Sequence, residues 1–392
     1  MAWVTSSSAS ASSTMSPLWM KVCKEIKTKK NTWASVFWTV SVAAYMFQCY
    51  QRNLAILIVP CLAMFLLIES NRIRFQIYRN YIPLYCFFFF YLTTSGAISY
   101  VNGTPISSVL RFYLILLAIP LAQCVREPGF NREWTILKVL ATIKASIVLL
   151  TWLDVFIKQD YQSYRRWAQS TGAGDIYILN GIPRVQILGT SIFVTLFICE
   201  FMKERRLTFY GALMAVTALA AGNSAYVLGI FAFAVLYYGP VLLKWIKKKN
   251  WKLIFVIPIS IVMVIVFGLY SLRSMKVKAE FSNAVRVEQI QVLTETNPII
   301  GSGLGHSVSG GGVWRQYDGD TYFELQTLYI YNQIGIIGLG TFYLLTFIPY
   351  AGQKNRKKLM CYITYLIYTF FNPYCFDSTH IFSVLLITNC VE

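Results

Sequence analysis

Residues 81–99 read YIPLYCFFFFYLTTSGAIS, a run without a single charged side chain. At about 1.5 Å per residue it is long enough as a helix to approach the roughly 30 Å hydrocarbon core of a bilayer. Hydrocarbon offers backbone amides no water, and the run lacks the period-2 alternation of a barrel strand, so a helix is the form that remains. A few residues later, 107–124 reads SSVLRFYLILLAIPLAQC and returns across the same layer.

Working outward, similar apolar runs lie near 33–50, 53–69, 136–157, 186–202, 207–220, 224–243, 253–271, 326–349, 359–372 and 378–391. Gly222, Asn223 and Ser224 interrupt the stretch 207–243, which reads as two short helices rather than one broken helix. The expected fold is an all-α polytopic membrane protein of about 12 transmembrane helices. Composition agrees: 56 % of the 392 residues are hydrophobic and the mean hydropathy is +0.52, more apolar surface than a soluble domain of this size can bury.

The formal charge of +18 does not indicate a nucleic-acid partner, because the basic residues sit in short clusters between apolar runs. With the N-terminus in the cytoplasm, 23 of the 35 Lys and Arg fall on that side: Lys21 to Lys30; Arg72, Arg74 and Arg79; Arg126, Arg132 and Lys138; Lys203, Arg205 and Arg206; Lys244 to Lys252; Lys354 to Lys358. The agreement at every alternate connection predicts cytoplasmic termini. Residues 1–32 read as a cytoplasmic tail, disordered over the Ser/Ala-rich start, and 33–392 as one transmembrane domain. The nine cysteines lie mostly in or beside apolar runs without CxxC spacing, which suits inert packing. No cofactor or metal is expected.

Two sizeable loops remain for the opposite face, near 158–185 and 272–325, and function is expected there. The first joins Arg165, Arg166 and Arg184 to Tyr161, Tyr164, Trp167 and Tyr177. Guanidinium forks suit diphosphate or carboxylate groups and aromatic faces suit sugar rings, although an interfacial belt with snorkelling arginines has the same composition. Arg184 stands apart at the mouth of a span. Within the spans, Arg111 and Lys144 either snorkel to an interface or face a polar cavity.

In the second loop, Phe281, Val285, Gln289 and Val292 have helical spacing and predict an amphipathic helix along the membrane surface, with Arg286 beside its apolar face or solvated. NPIIGSGLGHSVSGGG follows. It satisfies neither the dinucleotide fingerprint nor the Walker motif, so its glycines are expected to turn the loop tightly against the bundle and expose amides to an anion. Asp318-Gly319-Asp320 resembles a metal-holding DxD pair, but a Gly-centred acidic turn is the favoured reading. His306 and Arg315 lie nearby, Glu324 opens the next span, and Asp377 and His380 belong to the last outer turn.

Three segments in this order resemble the superfamily of bacterial O-antigen polymerases and ligases, membrane glycosyltransferases of the GT-C class. They are PRVQILGTS with Arg184, Arg286 upstream of NPIIGSGLG, and ELQTLYIYNQIGIIGL beginning at Glu324. The likeness covers roughly Gly181 to Gly340. Ligases usually open the third segment with histidine, so Glu324 favours a polymerase. The resemblance implies a GT-C-like bundle with two large periplasmic loops. It also implies transfer of a glycan from undecaprenyl diphosphate onto another lipid-linked oligosaccharide, with a chain-length regulator as a further partner. Arg184 and Arg286 would stabilise the departing diphosphate and Glu324 would act as base, with Asp320 and Asp377 behind it. Arg165, Arg166, Tyr164, Trp167, His306 and Arg315 would bind substrate. A ligase, or a transporter of lipid-linked sugars, is the alternative.

Overall fold

The computed structural model describes residues 17–69, 74–75, 79–126, 130–247, 284–311, 316–320, 323–352, 355–370 and 372–391. The chain runs α1 (Pro17–Phe47), α2 (Ala55–Ile68), β1 (Arg74–Phe75), α3 (Ile82–Val101), α4 (Ile106–Gln123), β2 (Val125–Arg126), α5 (Asn131–Lys158) and α6 (Gln162–Ser170). It continues β3 (Gly174–Leu179), β4 (Ile182–Ile187), α7 (Ile192–Glu204), α8 (Phe209–Ala220) and α9 (Ser224–Lys247). A helix over 284–294, α10, precedes β5 (Val308–Gly311), β6 (Gln316–Asp320), α11 (Gln326–Phe347), α12 (Arg356–Thr369) and α13 (Ser378–Cys390).

Each apolar run read from the sequence carries a helix, except for 253–271, which lies outside the described residues; α1 starts earlier, at Pro17 within the expected tail, and α6 and α10 lie in the expected loops. Among the described residues four stretches, Ile82–Val101, Ile106–Gln123, Asn131–Lys158 and Gln326–Tyr350, are long and apolar enough to cross a membrane. Others are shorter than expected. α7 starts at Ile192 and not near 186, because 182–187 is strand.

Outer and central helices have opposite patterns. On α3 only Phe88, Leu92, Gly96 and Ser99 are buried, while Phe87, Phe89, Phe90, Ile98 and Tyr100 are exposed. Such a face would be a liability in water and is ordinary against acyl chains. α13 is buried around nearly its whole circumference, packed between α4 and α7, as a helix apolar on all sides must be. Trp38 anchors one end of the core against Phe65, Phe130 and Phe382, and donates its indole N–H to the Glu133 carbonyl at 3.0 Å.

Among the described residues three two-stranded antiparallel ribbons interrupt the all-α expectation: β1 with β2, β3 with β4, and β5 with β6. The middle one turns at Asn180 and Gly181, both at positive φ (52° and 77°). That is the Asn-Gly signature of a tight hairpin.

α11 is broken. Gly335 has φ 60° and ψ −172°, and the glycine-rich loop fills the gap. Ser302 and Gly303 donate to the carbonyls of Asn332 and Gln333 at 2.7 and 2.9 Å, while Ile336 and Ile337 donate to Pro298 and Ile299 at 3.0 and 3.3 Å. Tyr91 caps the Ile334 carbonyl at 2.7 Å. A broken helix at membrane depth is tolerable only if such partners replace its lost ladder. A Cβ on Gly335 would meet the Ile299 oxygen at 2.2 Å, and one on Gly301 the Gln333 oxygen at 2.4 Å, so both contacts demand glycine.

Candidate functional site

The α5–α7, α8–α9 and α12–α13 connections, the α10 region and the start of α11 meet at one end of the bundle, called here the loop end. Alternation along β4 gives it two faces. Pro183, Val185 and Ile187 are buried, while Arg184 and Gln186 point the other way beside Tyr177 and Asp175 of β3. Arg184 Nη1 donates to the Gly222 carbonyl at 2.8 Å, and Gln186 Nε2 to the same oxygen at 3.3 Å. Asn223 follows, its side chain accepting from the Ala225 amide at 3.0 Å. The Gly222–Ser224 break is thus the seat on which Arg184 rests.

Behind the hairpin, α6 lies across the end of α5. Arg165 pairs with Asp175 at 3.1 Å, Tyr164 donates to Asp154 at 2.8 Å, and Trp167 stacks on Tyr50 with ring centres 5.5 Å apart. Tyr50, Tyr164 and Trp167 wall a cavity of about 440 Å³ that is otherwise lined mainly by Ile147, Ile176, Val185 and Ile187. Arg166 is exposed. The first-loop residues named from sequence therefore divide: Tyr164, Arg165 and Trp167 brace the hairpin, and Arg184 lies on its opposite face.

α10 has the expected register, but its inner face packs on protein. Gln289 is fully buried and accepts from the Leu325 amide at 3.3 Å, and Asn332 donates to the Leu293 carbonyl at 3.0 Å. This docking brings Arg286 Nε within 3.3 Å of Glu324 Oε2, both side chains remaining partly open to solvent. Glu324 is two residues from Gln326, whose side-chain oxygen accepts the Phe376 amide at 3.1 Å, and Phe376 precedes Asp377.

Asp377 caps α13, accepting from the Thr379 amide at 2.8 Å and the Thr379 hydroxyl at 3.1 Å. Burial pushes its carboxyl up to about 6, against the opposing pull of the Thr379 and His380 hydrogen bonds and of the Arg111 charge. Arg111 therefore belongs to the surroundings of Asp377. Tyr374, in the same turn, stands 6.1 Å from Tyr226, and through its hydrogen bond with Asn223 the turn reaches the seat of Arg184.

Two sequence readings need correction. The loop amides are not held out for an anion: those of Gly301, Ser302, Gly303, Leu304, Gly305 and His306 all have partners within the protein. The DxD segment is not a simple turn. It lies in β6, where Asp320 pairs with Val308 across a register shift and Gly319 takes φ 71°. His306 is half-buried, its imidazole pulled below its ordinary value by desolvation, and its carbonyl accepts from Tyr329 at 2.6 Å. Arg315 lies outside the described residues, as do the side chains of Asp318 and Asp320. Among the described residues, no three His, Cys, Asp or Glu side chains group closely enough to hold a metal ion.

Sequence reasoning missed the hairpin that presents Arg184, although Asn180-Gly181 between apolar strands was the signal for it. It also left Gln186 and Asn223 aside.

The chain matches no family model, no curated protein and no solved structure.

Proposed function

We propose that the chain is an O-antigen polymerase, an inner-membrane glycosyltransferase that joins undecaprenyl-diphosphate-linked repeat units at the periplasmic face. In this reading the chain crosses the membrane about twelve times in a GT-C-like bundle, its termini are cytoplasmic and the loop end is periplasmic. One observation carries the proposal. NPIIGSGLG and NQIGIIGLG, which anchor two of the three resembling segments, interlock backbone to backbone at Gly301 and Gly335 and so fix Arg286, Glu324 and Asp377 at the end where Arg184 also lies.

The acceptor hydroxyl attacks the donor's anomeric carbon, the bond from that carbon to the diphosphate oxygen breaks, and the hydroxyl proton passes to a base. Charge grows on the leaving diphosphate, where preorganised cationic donors act most strongly. Arg184, seated on the Gly222 carbonyl through Nη1, contributes its fixed guanidinium charge, and Arg286 the donors beyond the Nε that Glu324 occupies. With its carboxylate already on Arg286, Glu324 is better suited to aiming that fork than to taking a proton. Asp377, held near 6 and half-buried, is ionised at neutral pH yet basic enough to receive one.

A transporter built on a discontinuous helix would leave the unwound backbone for its substrate. Here the loop occupies it.

Deleting the gene and resolving surface glycans on a gel tests the reading. A polymerase predicts loss of the ladder with one repeat unit still attached to the lipid core. Loss of every attached repeat would instead indicate a ligase, and an unchanged ladder would refute both.

A further inference from the structure

Lys144 lies midway along α5 and is fully buried. Its Nζ is 2.6 Å from the sulfur of Cys49, a 1 % exposed thiol just beyond α1. That separation is shorter than an ordinary N–H···O hydrogen bond of about 2.9 Å, although sulfur is the larger atom. It matches the span of a single oxygen atom bonded to both.

We propose that Cys49 and Lys144 form an oxidation site at which dioxygen installs a covalent S–O–N bridge between the two side chains. Cys124 meets the Tyr85 hydroxyl at 3.1 Å and Cys375 the Tyr343 hydroxyl at 3.8 Å, whereas Cys49 meets an amine. Tyr50, the next residue, walls the 440 Å³ cavity beneath α6, and Lys144 Nζ lies 5.1 Å from the Tyr50 ring centre. Dioxygen is small and apolar and dissolves readily in hydrocarbon, so it reaches a site that larger charged reagents do not.

The reaction balances with one dioxygen. The S–H bond and one N–H bond break, and S–O and O–N bonds form to one oxygen atom. The second oxygen leaves as water with the two hydrogens. Sulfur and nitrogen each give up two electrons, and dioxygen takes all four. Two equivalents of a dithiol return them, restoring thiol and amine and releasing the bridging oxygen as water, as for other reversible cysteine oxidations. The bridge ties the end of α1 to the middle of α5, directly behind the Tyr50–Trp167 stack. It is independent of the polymerase reading.

The test uses full-length protein purified in air without reductant, digested and analysed by mass spectrometry. The Cys49 and Lys144 peptides are expected joined, at their summed mass plus one oxygen less two hydrogens. Dithiothreitol should separate them, and C49S should abolish the joined species. Only separate peptides from air-exposed wild type, with Cys49 as thiol or as sulfinic or sulfonic acid, would overturn the proposal. Persistence of the joined mass in C49S would overturn it equally.

Discussion

The two ends of the bundle hold cations of different kinds for different ends. At the basic end lysines outnumber arginines in the sequence, and three of them are matched to nearby acceptors: Lys138 to Glu200 at 3.3 Å, Lys203 to the Asn131 side chain at 2.8 Å, and Lys358 to the Thr388 carbonyl at 2.7 Å. At the loop end they are mainly arginines held by part of the fork, Arg184 on Gly222 and Arg286 on Glu324. A compact ammonium serves as a point charge that orients a span, whereas a planar fork recognises phosphate. The kind of cation therefore distinguishes the ends better than the count does, and the contrast predicts that substitutions at the basic end act on folding while those at the loop end act on turnover.

The largest effect should fall on the scaffold that serves the loop end. Gly335→Ala forces a Cβ to 2.2 Å from the Ile299 oxygen at a φ of 60°, and it unseats the loop that refills α11. A loss of more than about 4 kcal/mol, seen as little folded protein by size-exclusion in detergent, is expected. Normal yield would mean that the interlock does not hold the site.

Asp377→Asn comes next, with a drop in polymerisation of about 10²- to 10⁴-fold if it is the base. In the wild type, activity should rise with pH through about 6, and the variant should lack that limb. The stability sign is the reverse of the usual carboxylate case. The folded-state value is raised from 3.8 to about 6, so the folded protein binds more protons across that window and its stability falls as pH rises through it. Thermal unfolding of wild type and D377N between pH 4 and 6 checks this, and parallel curves would remove Asp377 from the account.

Lys138→Met should do the opposite of Asp377→Asn. It leaves Glu200, whose side chain is 3 % exposed, with only the Thr208 hydroxyl at 3.0 Å. About 1–3 kcal/mol of stability should be lost while the folded fraction turns over normally, as judged by activity per folded molecule. A specific loss of turnover would blur the distinction between the ends.

The helices were legible because a 17- to 20-residue apolar run has few alternatives in a bilayer. The site was legible only in part. Arg184, Glu324 and Asp377 stood out as charges at or near the mouths of spans and Arg286 on an amphipathic helix between them, and the structure has all four at one end. What did not show was which groups are already engaged. The loop amides looked available because glycine permits such exposure, but their partners, such as Ser95 and the Asn332 and Gln333 carbonyls, come from α3 and α11, far away in sequence. The hairpin was hidden because 158–185 read as an irregular loop and the next span was begun near 186, inside β4. Gly181→Ala probes it with the smallest expected effect, about 1 kcal/mol for a left-handed turn residue with open space around it, measured by thermal unfolding.

The central claim is that the loop-end arginines act on a lipid diphosphate by their forked geometry and not by charge alone. Its most direct test is reconstituted protein supplied with undecaprenyl-diphosphate-linked repeat units, comparing wild type with R286K and R184K on a glycan gel. The account predicts a ladder from wild type and at most single additions from either lysine variant at equal folded protein. A wild-type-length ladder from R286K, formed at the wild-type rate, would contradict it.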